Sequence, residues 1–473
     1  MKIHFIGIGG RGMKRVSELA CLLGYEVTGS DLKADLIISH ILKKYAIIYP
    51  NHSENYVKEV DLVVYSIGIN ESHVEIQSAQ KLFIPILTRM QMVSKLVRLM
   101  NQKTITILGS FGKTTTTTLM SLVLDEGGLD PSFYIGGHVP NYNGGVKVGK
   151  GEFSVVEGCE YKSEFFHLDS SALILTNIEE NHLEYFNNTE NLVKVFERFI
   201  NINNTTLRSI VLCYDSDLVR DNVVFHSKYY NIDSYGLYYG NWLVKNIVFN
   251  NKNSSMNFDI FYKGEYIRTF FLNIVGEQYA LNATGVIITA RNLGISYDMI
   301  QNGLLNYIGI KRRFELKFEN KNLTIIDDMA RMPIQLKKTI EAARLRYKDR
   351  KIIIICGFWG ALNKRNLNEL ADALIGGCPY ILKVNENGEQ FGGMEFQDAD
   401  EMLKKILNNL GVRSYLEDEI YLADLIRMML NNGHNPVIIT VGYDSFLNKF
   451  DYVINNALRD LGIKDNVEYL NYM

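Results

Sequence analysis

The chain alternates short apolar runs with longer amphipathic stretches. Residues 3–6, 105–108 and 153–156 are examples of apolar runs that end at glycine or polar residues. Runs of this kind are typical of buried strands in a parallel sheet, and the amphipathic stretches between them indicate helices. Because this order continues to a last apolar run at residues 437–441, the pattern predicts an α/β protein.

Changes in this pattern divide the chain into three predicted domains. The 473 residues are too many for one hydrophobic core. Residues 1–100 read as a Rossmann-like unit of about five strands, and residues 101–316 begin with a second set of parallel strands. After residue 201 alternating apolar and polar positions predict added antiparallel strands. Residues 317–473 return to alternating strands and helices, which predicts a second Rossmann-like domain.

A glycine-bearing loop follows the strand that starts the second predicted domain. Residues 105–116 read as an apolar strand, the loop Gly-Ser-Phe-Gly-Lys-Thr and a threonine-rich helix. Backbone N–H groups of such a loop face an anion, and the helix adds its positive N-terminal end. Lys113 would supply charge to the outer phosphates of ATP, and Thr114 a hydroxyl to Mg²⁺. The usual loop has glycine at the position of Ile107, so this is a shorter variant, with an ordinary glycine turn as the alternative.

A second glycine loop lies near the start of the chain. Residues 7–12 follow the first strand, and Asp31 ends the next strand about twenty residues later. This order of strand, loop, helix, strand and acid is the dinucleotide-binding pattern, in which the acid holds a ribose. A unit of about five strands leaves little room for a whole dinucleotide. The pattern therefore favours a nucleotide diphosphate, and an NAD(P) enzyme is the alternative.

Further candidates stand where apolar strands end. Glu157 closes one strand, and His182 follows another after a short polar segment. Ligands gather beyond the carboxyl ends of parallel strands, so these side chains could converge with Thr114. Glu157 suits Mg²⁺, whereas His182 is a less natural ligand for so hard an ion and could be a structural histidine.

Two charged pairs flank the start of the third predicted domain. The arginines 312–313 could be a solvated face or a clamp on a transferring phosphoryl group. The acids 327–328 end a strand, where they could be catalytic or could cap a helix.

Composition and charge narrow the class of function. A formal net charge of −3 offers no electrostatic footprint for nucleic acid or an anionic membrane. No apolar run approaches the roughly 18 residues of a membrane span. The five cysteines are scattered and include no Cys-x-x-Cys pair, which indicates a reduced protein without a zinc or redox site of that type. We expect a cytoplasmic protein that binds neither nucleic acid nor membranes.

Together these motifs resemble those of the Mur ligase family, ATP-dependent enzymes that build the peptide stem of peptidoglycan. The resemblance covers essentially the whole length, and the order of the motifs is more specific than any single one. It is carried by residues 6–13, 29–31, 88–90, 109–116, 157–161, 176–183, 312–315 and 327–328.

The resemblance implies a three-domain architecture and a reaction. Residues 1–100 would be a Rossmann-like UDP-binding domain, residues 101–316 a P-loop ATPase domain with added β-strands, and residues 317–473 a Rossmann-like domain that receives the amine. ATP would phosphorylate the carboxylate of a UDP-N-acetylmuramate-type sugar nucleotide. The amine of an amino acid, with L-alanine expected, or of a short peptide would then attack the acyl phosphate to form an amide.

The resemblance also implies which residues form the site. The expected catalytic residues are Lys113, Glu157, His182, Arg313 and Asp328, the last reaching in when the third domain closes. The cofactors would be ATP and Mg²⁺. The metal ligands would be Thr114, Glu157 and His182. ATP would be bound by Gly109, Ser110, Phe111, Gly112, Lys113, Thr114, Thr115, Asn282 and Arg313. The sugar nucleotide would be bound by Gly7, Gly9, Gly10, Arg11, Gly12, Met13, Ser30, Asp31 and Ser66.

Several segments depart from the family pattern. Phe111 stands where histidine is common, and the adenine motif that begins at Gly276 keeps only Asn282. The two acids of the third domain are followed by residues 329–333, Met-Ala-Arg-Met-Pro, where the alanine-adding type has two histidines and a proline. After the next strand, residues 357–360, Gly-Phe-Trp-Gly, stand in place of the Gln-Pro-His-Arg loop of that type. The last two segments belong to the amine-receiving domain. A ligase for another amine or a preformed peptide, as in murein recycling, and a non-catalytic nucleotide-binding homologue are therefore alternatives.

Overall fold

The structure is a computed structural model in which each of three main sheets is built from a separate part of the chain. It describes residues 1–32, 39–180, 183–203, 205–222, 231–250, 254–330, 332–356, 364–382, 390–391, 394–412, 415–417, 419–442 and 447–458. Helices connect the parallel strands of each sheet, so the predicted α/β class and three-part architecture are confirmed.

The first sheet has five parallel strands in the order β3-β2-β1-β4-β5. The strands are β1 Lys2–Ile6, β2 Glu26–Ser30, β3 Ala46–Tyr49, β4 Leu62–Tyr65 and β5 Ile86–Thr88. The helices are Arg11–Leu22, His40–Tyr45, Val74–Lys81 and Arg89–Leu99, with a 3₁₀ turn at Glu54–Val57. The central strand β1 is buried on both faces, as its apolar run predicts. The last helix begins with a capping box between Thr88 and Gln91.

The second sheet has ten strands in the order β15-β14-β13-β12-β11-β10-β6-β9-β7-β8. The strands are β6 Lys103–Leu108, β7 Ser132–Val139, β8 Gly144–Lys147, β9 Phe153–Glu157, β10 Ala172–Leu175, β11 Ser209–Cys213, β12 Asn231–Gly236, β13 Trp242–Asn250, β14 Ser255–Tyr262 and β15 Glu265–Leu272. Strands β13 to β15 pair antiparallel in succession, which confirms the predicted hairpins. The helices are Lys113–Glu126, Leu183–Phe186, Thr189–Ile202, Asp217–Asn222, Glu277–Asn292 and Tyr297–Leu305, with 3₁₀ turns at Pro140–Tyr142 and Tyr161–His167.

The third sheet has six strands in the order β16-β17-β23-β18-β19-β22, and β20 and β21 form a separate short pair. The strands are β16 Glu315–Glu319, β17 Thr324–Asp328, β18 Ile352–Cys356, β19 Cys378–Leu382, β20 Gln390–Phe391, β21 Met394–Glu395, β22 Tyr415–Glu417 and β23 Val437–Val441. The helices are Pro333–Arg346, Lys364–Leu374, Phe396–Asn409, Glu419–Asn431 and Leu447–Leu458. Pro333 occupies the first turn of its helix, where its missing N–H costs no hydrogen bond.

The domain limits given by the sequence remain a prediction. Strand β16 pairs antiparallel with β17 and starts at Glu315, so the proposed limit between residues 316 and 317 falls inside a strand of the third sheet. We propose drawing the third domain from the start of this strand.

The first and second sheets share one hydrophobic core on the side where their glycine loops lie. Met13 and Val16 of the helix Arg11–Leu22 belong to the same buried cluster as Tyr134 and Val146 of the second sheet. The Tyr134 hydroxyl also donates a hydrogen bond to the carbonyl of Gly12 at 3.1 Å. This packing brings the first glycine loop toward the second. Among the described residues, no helix combines the length and apolar character that a membrane crossing requires.

Candidate functional site

The loop between β6 and the helix Lys113–Glu126 has a backbone that only glycine adopts easily. Gly109 has φ +143° and Gly112 has φ +80°. A Cβ on Gly109 would lie 2.1 Å from Thr176 Oγ1, and one on Gly112 would lie 2.7 Å from Asn282 Oδ1. Both glycines therefore allow close packing as well as the turn. The first N–H groups of the helix have no carbonyl partner within it and can face an anion.

Asn177, just after β10, supports this loop from behind. Its Oδ1 accepts hydrogen bonds from the N–H groups of Ser110 and Phe111 at 3.1 and 3.0 Å, and its Nδ2 donates to the Phe111 carbonyl at 3.0 Å. Thr176 Oγ1 donates to the same carbonyl at 2.6 Å. The neighbouring strand thus holds the loop in shape. The N–H groups of residues 110 and 111 are used in that support, which leaves the helix start as the anion-facing part.

Lys113 is folded back over the loop. Its Nζ donates to the carbonyls of Gly109 and Ser110 at 2.5 and 3.3 Å and lies 2.8 Å from Glu160 Oε2. The side chains of Lys113 and Glu160 are only 13% and 7% exposed. An incoming phosphate would therefore meet a lysine that is positioned and already neutralised by a carboxylate.

Thr114 faces Glu157, the last residue of β9. Thr114 Oγ1 donates to Glu157 Oε1 at 3.0 Å, and the N–H of Gly136 donates to Glu157 Oε2 at 2.9 Å. A hydroxyl and a carboxylate are the hard oxygen donors that Mg²⁺ prefers, so these residues fit that ion. His182, the third ligand predicted from the sequence, lies outside the described residues.

Asp328 is the last residue of β17. It faces residues 312–314, which link the second sheet to the third. Its Oδ2 accepts hydrogen bonds from the Phe314 N–H at 2.8 Å and from Thr339 Oγ1 at 3.2 Å. Burial raises the pKa of the Asp328 carboxyl, against the attraction of Arg313. The adjacent Asp327 lies 2.9 Å from Arg312 Nε. The two acids therefore attach the third sheet to residues 312–314.

These elements surround one cavity of about 500 Å³ to which all three parts of the chain contribute. The first part supplies Arg11 and Arg89, and the third supplies Asp328 and Lys338. Most of the wall comes from the second part. The predicted ATP-binding residues in the wall are Ser110, Phe111, Gly112, Lys113, Thr114, Thr115, Asn282 and Arg313. Gly109 contributes the carbonyl that accepts from Lys113.

The predicted sugar-nucleotide residues divide into two groups. Arg11 and Gly12 line the cavity. The others are Gly7, Gly9, Gly10, Met13, Ser30, Asp31 and Ser66, which lie at or beyond the carboxyl ends of β1, β2 and β4. Asp31 Oδ2 accepts from the N–H of Gly9 at 2.9 Å, so the acid shapes the glycine loop. Met13 and Ser30 are buried. The roles of this set stay predictions.

Some wall residues had no role assigned from the sequence. Arg89 lies so close to Gly12 that a Cβ there would be 2.0 Å from Arg89 Nη1, and the other Nη lies 3.7 Å from Glu164. A charged residue directly after an apolar strand could have drawn attention to Arg89. Glu160 likewise follows a strand end. Lys338 lies in the middle of a helix, and nothing in its sequence context marks it.

Comparison with known families and relatives agrees with the motif order. The family described as "Mur ligase family, catalytic domain" matches residues 2–100, and "Mur ligase middle domain" matches residues 107–290. The UDP-N-acetylmuramate--L-alanine ligase of Clostridium acetobutylicum is 34% identical over 446 residues, covering 93% of this chain and 94% of that protein. The enzyme of the same name from Endomicrobium trichonymphae is 34% identical over 353 residues, 75% of this chain and 77% of that protein.

Solved structures show the same fold. The UDP-N-acetylmuramate-alanine ligase of Thermotoga maritima superimposes with a TM-score of 0.81 at 22% identity, over 97% of this chain and 99% of that one. A murein peptide ligase of Psychrobacter arcticus gives a TM-score of 0.67 at 20% identity, over 97% and 98% of the two chains. The resemblance drawn from the motifs is therefore confirmed, and the chain belongs to the Mur ligase family.

Proposed function

We propose that this protein is an ATP-dependent ligase that joins L-alanine to the carboxylate of UDP-N-acetylmuramate in peptidoglycan precursor synthesis. The names of relatives that match nearly the full chain support this substrate pair. The observation that carries the proposal is the cavity itself, where Lys113 pairs with Glu160, Thr114 faces Glu157 and Asp328 enters from the third sheet. We place the enzyme in the cytoplasm, where ATP and nucleotide sugars are made.

In the first step an oxygen of the sugar-nucleotide carboxylate attacks the γ-phosphorus of ATP. The bond to the bridging oxygen breaks, and ADP leaves with the electron pair. Such a transfer depends on holding the groups in line and neutralising their charge. Lys113 and the N–H groups at the start of its helix would hold the phosphates. Arg313, in the wall of the same cavity, adds positive charge.

Mg²⁺ would be held by Thr114 and Glu157, with His182 as a further proposed ligand. Its contribution when bound is to offset phosphate charge as the γ-phosphoryl group moves. Arg11 and Arg89 line the side of the cavity next to the first glycine loop. We assign them the task of orienting the anionic sugar nucleotide so that its carboxylate faces the γ-phosphate.

In the second step the amine attacks the carbonyl carbon of the acyl phosphate. The carbon–oxygen bond to phosphate breaks, inorganic phosphate leaves with the electron pair, and the nitrogen loses a proton as the amide forms. Lys338 lies in the wall that the third sheet contributes and can attract the carboxylate of the amino acid. The buried Asp328 joins that wall to residues 312–314, beside the loop of residues 109–112, which we call the phosphate loop.

The test is release of inorganic phosphate from ATP with UDP-N-acetylmuramate and a panel of amino acids and short peptides. We expect release that requires both the sugar nucleotide and L-alanine. Release that requires a short peptide would show that the amine substrate is a preformed peptide and not alanine. Binding of both nucleotides without release for any amine would favour a non-catalytic homologue.

A ligase for another amine is the second candidate. The wall contributed by the third sheet contains Met329, Ala330 and Met332, which belong to the segment where alanine-adding relatives commonly have a pair of histidines and a proline. These apolar side chains favour a more apolar acceptor than alanine. A comparison of KM values across the amine panel separates the two candidates.

A further inference from the structure

A buried carboxylate close to the cavity has no role in the proposed reaction as described so far. Glu164 belongs to the 3₁₀ turn Tyr161–His167, and its side chain is only 3% exposed. Within the described part of the chain, neither of its carboxylate oxygens has a hydrogen-bond partner. Burying such a group is costly unless a nearby positive charge compensates it.

The compensating charge is the guanidinium of Arg89, which belongs to the first domain. Arg89 Nη2 lies 3.7 Å from Glu164 Oε2, which makes an ion pair without a hydrogen bond. Arg89 comes directly after β5 of the first sheet, whereas Glu164 follows β9 of the second sheet. The pair therefore crosses the junction between the first two sheets.

Arg89 also lies against the first glycine loop. A Cβ on Gly12 would be 2.0 Å from Arg89 Nη1, so the guanidinium fills the space that a side chain at residue 12 would take. Gly12 is in the first turn of the helix Arg11–Leu22, where N–H groups without helical partners favour an anion. Arg89 is 21% exposed and lines the cavity. It is therefore placed to bind an anionic group held at the start of this helix.

Glu164 approaches Arg89 from the protein side. The described residues that line the cavity include Glu160, next to Lys113, but not Glu164. A ligand in the cavity therefore meets Glu160 directly, whereas Glu164 can hold the Arg89 guanidinium without taking the place of a ligand. An arginine side chain has many rotamers, and fixing it before the ligand arrives reduces the entropy that binding costs.

The backbone that carries Glu164 is held in an uncommon conformation. Lys162 and Ser163 have φ of +49° and +58°, in the left-handed region that is unfavourable for residues other than glycine. Lys162 Nζ donates to the carbonyl of Ile67 in the first domain at 3.1 Å, and the Ser163 N–H donates to the Glu160 carbonyl at 2.9 Å. These contacts hold the turn from both sides, so the position of Glu164 beside the first domain is fixed.

We propose that Glu164 is a positioning residue that fixes the Arg89 guanidinium beside Gly12, where Arg89 binds an anionic group of the sugar nucleotide. This inference rests on the proposed function, because it needs a sugar nucleotide in the cavity. The negative charge of Glu164 also repels that anion, so removing the charge has two opposite effects on affinity. Only the effect that passes through Arg89 is the positioning effect.

The test is a double-mutant cycle on the full-length protein, with the Kd for UDP-N-acetylmuramate measured by calorimetric titration without ATP. The variants are Glu164→Gln, Arg89→Gln and their combination. Direct repulsion between Glu164 and the anion is removed in both backgrounds, whereas positioning is lost only where Arg89 is present. We expect Glu164→Gln to weaken binding at least about fivefold more in the unchanged protein than in the Arg89→Gln protein.

Two further measurements separate positioning from a general loss of structure. The Kd for ATP should change less than about twofold in Glu164→Gln, because the phosphate loop has its own contacts. A merely structural role would weaken the binding of both nucleotides together. The matched control is Glu190→Gln, which removes an acid 73% exposed in a surface pair with Lys194 and should change neither Kd.

Equal fold-changes for Glu164→Gln in the two backgrounds overturn this inference and leave the proposed function intact. If the unchanged protein does not bind UDP-N-acetylmuramate, the proposed function fails and this inference fails with it. Should Glu164→Gln fail to fold, as judged by circular dichroism, Glu164→Asp takes its place in both backgrounds. Its shorter side chain moves the carboxylate away from Arg89, so we expect at least about a twofold difference between backgrounds, and equal fold-changes again overturn the inference.

Discussion

The ammonium of Lys113 lies 2.8 Å from the carboxylate of Glu160, in the wall of the cavity that the phosphate loop faces. Its sequence neighbour Thr114 lies 3.0 Å from a different acid, Glu157. Lys113 and Thr114 thus have different carboxylate partners. A phosphate and Glu160 compete for the same lysine ammonium. Without nucleotide, Glu160 therefore neutralises the lysine charge that the nucleotide phosphate would neutralise.

Replacing Glu160 by glutamine should strengthen ATP binding. The change leaves Lys113 without its carboxylate in a largely buried position, which destabilises the free protein. ATP phosphates then restore the lost charge pairing, so we expect Kd for ATP to fall about threefold to tenfold and Tm without ATP to fall. Calorimetric titration and thermal melting measure the two effects.

The control for Glu160→Gln is Glu152→Gln, which removes an acid 58% exposed in a surface pair with Lys103. Glu152→Gln should change neither the Kd for ATP nor the Tm, since exposed ion pairs contribute little to stability. Weaker ATP binding in Glu160→Gln would contradict the competition between Glu160 and phosphate.

Lys113→Ala should abolish turnover while sparing the sugar-nucleotide site. Removing one group that stabilises transition-state charge typically costs 10²–10³-fold, and we expect at least a loss of about 10²-fold in phosphate release. Melting with UDP-N-acetylmuramate should still show stabilisation, because that ligand is assigned to the first glycine loop. Lys103→Ala, at the exposed start of β6, is the matched control and should keep full activity. Persistence of phosphate release in Lys113→Ala would refute the role of the lysine.

Gly109→Ala should deform the phosphate loop. The new Cβ meets Thr176 Oγ1 at 2.1 Å and the backbone of Asn177 at 3.1 Å, at φ +143°. We expect a loss of about 2–4 kcal/mol in the free energy of unfolding and no measurable ATP binding. Gly128→Ala has φ +71° and no atom within 4 Å of its Cβ, so it should cost only about 1–2 kcal/mol. Urea unfolding compares the two variants, and equal costs would show that the contact with Thr176 is unimportant.

His138 should make the protein less stable in mild acid. Burial, followed by the positive charges of Arg15, Lys311 and Lys14, lowers its pKa to about 4, against the attraction of Glu18. Between pH of about 6.5 and 4 the unfolded chain therefore binds a proton that the folded chain does not, so stability rises with pH in that window. The contribution is fully present above about pH 6.5 and is lost as the pH falls through 4.

The measurement is the free energy of unfolding in urea at pH values from 4 to 7. His138→Gln should lose less stability toward pH 4 than the unchanged protein, by on the order of 1–2 kcal/mol. His40→Gln, an exposed histidine, should follow the unchanged protein. Parallel pH profiles for the unchanged protein and His138→Gln would argue against this titration.

The apolar runs were sufficient to predict most strands. Residues 3–6 and 437–441 were assigned correctly from their sequence, because a strand buried on both faces must be apolar at consecutive positions. The glycine loops could be placed since strand, loop and helix are adjacent in the chain. The strand Glu315–Glu319 was missed because its alternation covers only five residues and crosses the predicted domain limit.

The cavity could be anticipated only in part. Thr114 and Glu157 were predicted to meet, because both follow parallel strands that end at one edge of a sheet. The pairing of Lys113 with Glu160 was not predicted, since it depends on the path of the chain after β9.

The sequence by itself determined the α/β class, the order of the three sheets, the family and the position of the loop before the helix Lys113–Glu126. These features depend on local periodicity and on motifs whose residues are neighbours in the chain. The tertiary structure alone decided which acid pairs with Lys113 and how Asp328 reaches the cavity. Such contacts join residues far apart in sequence, and the packing of sheets and helices sets their distances.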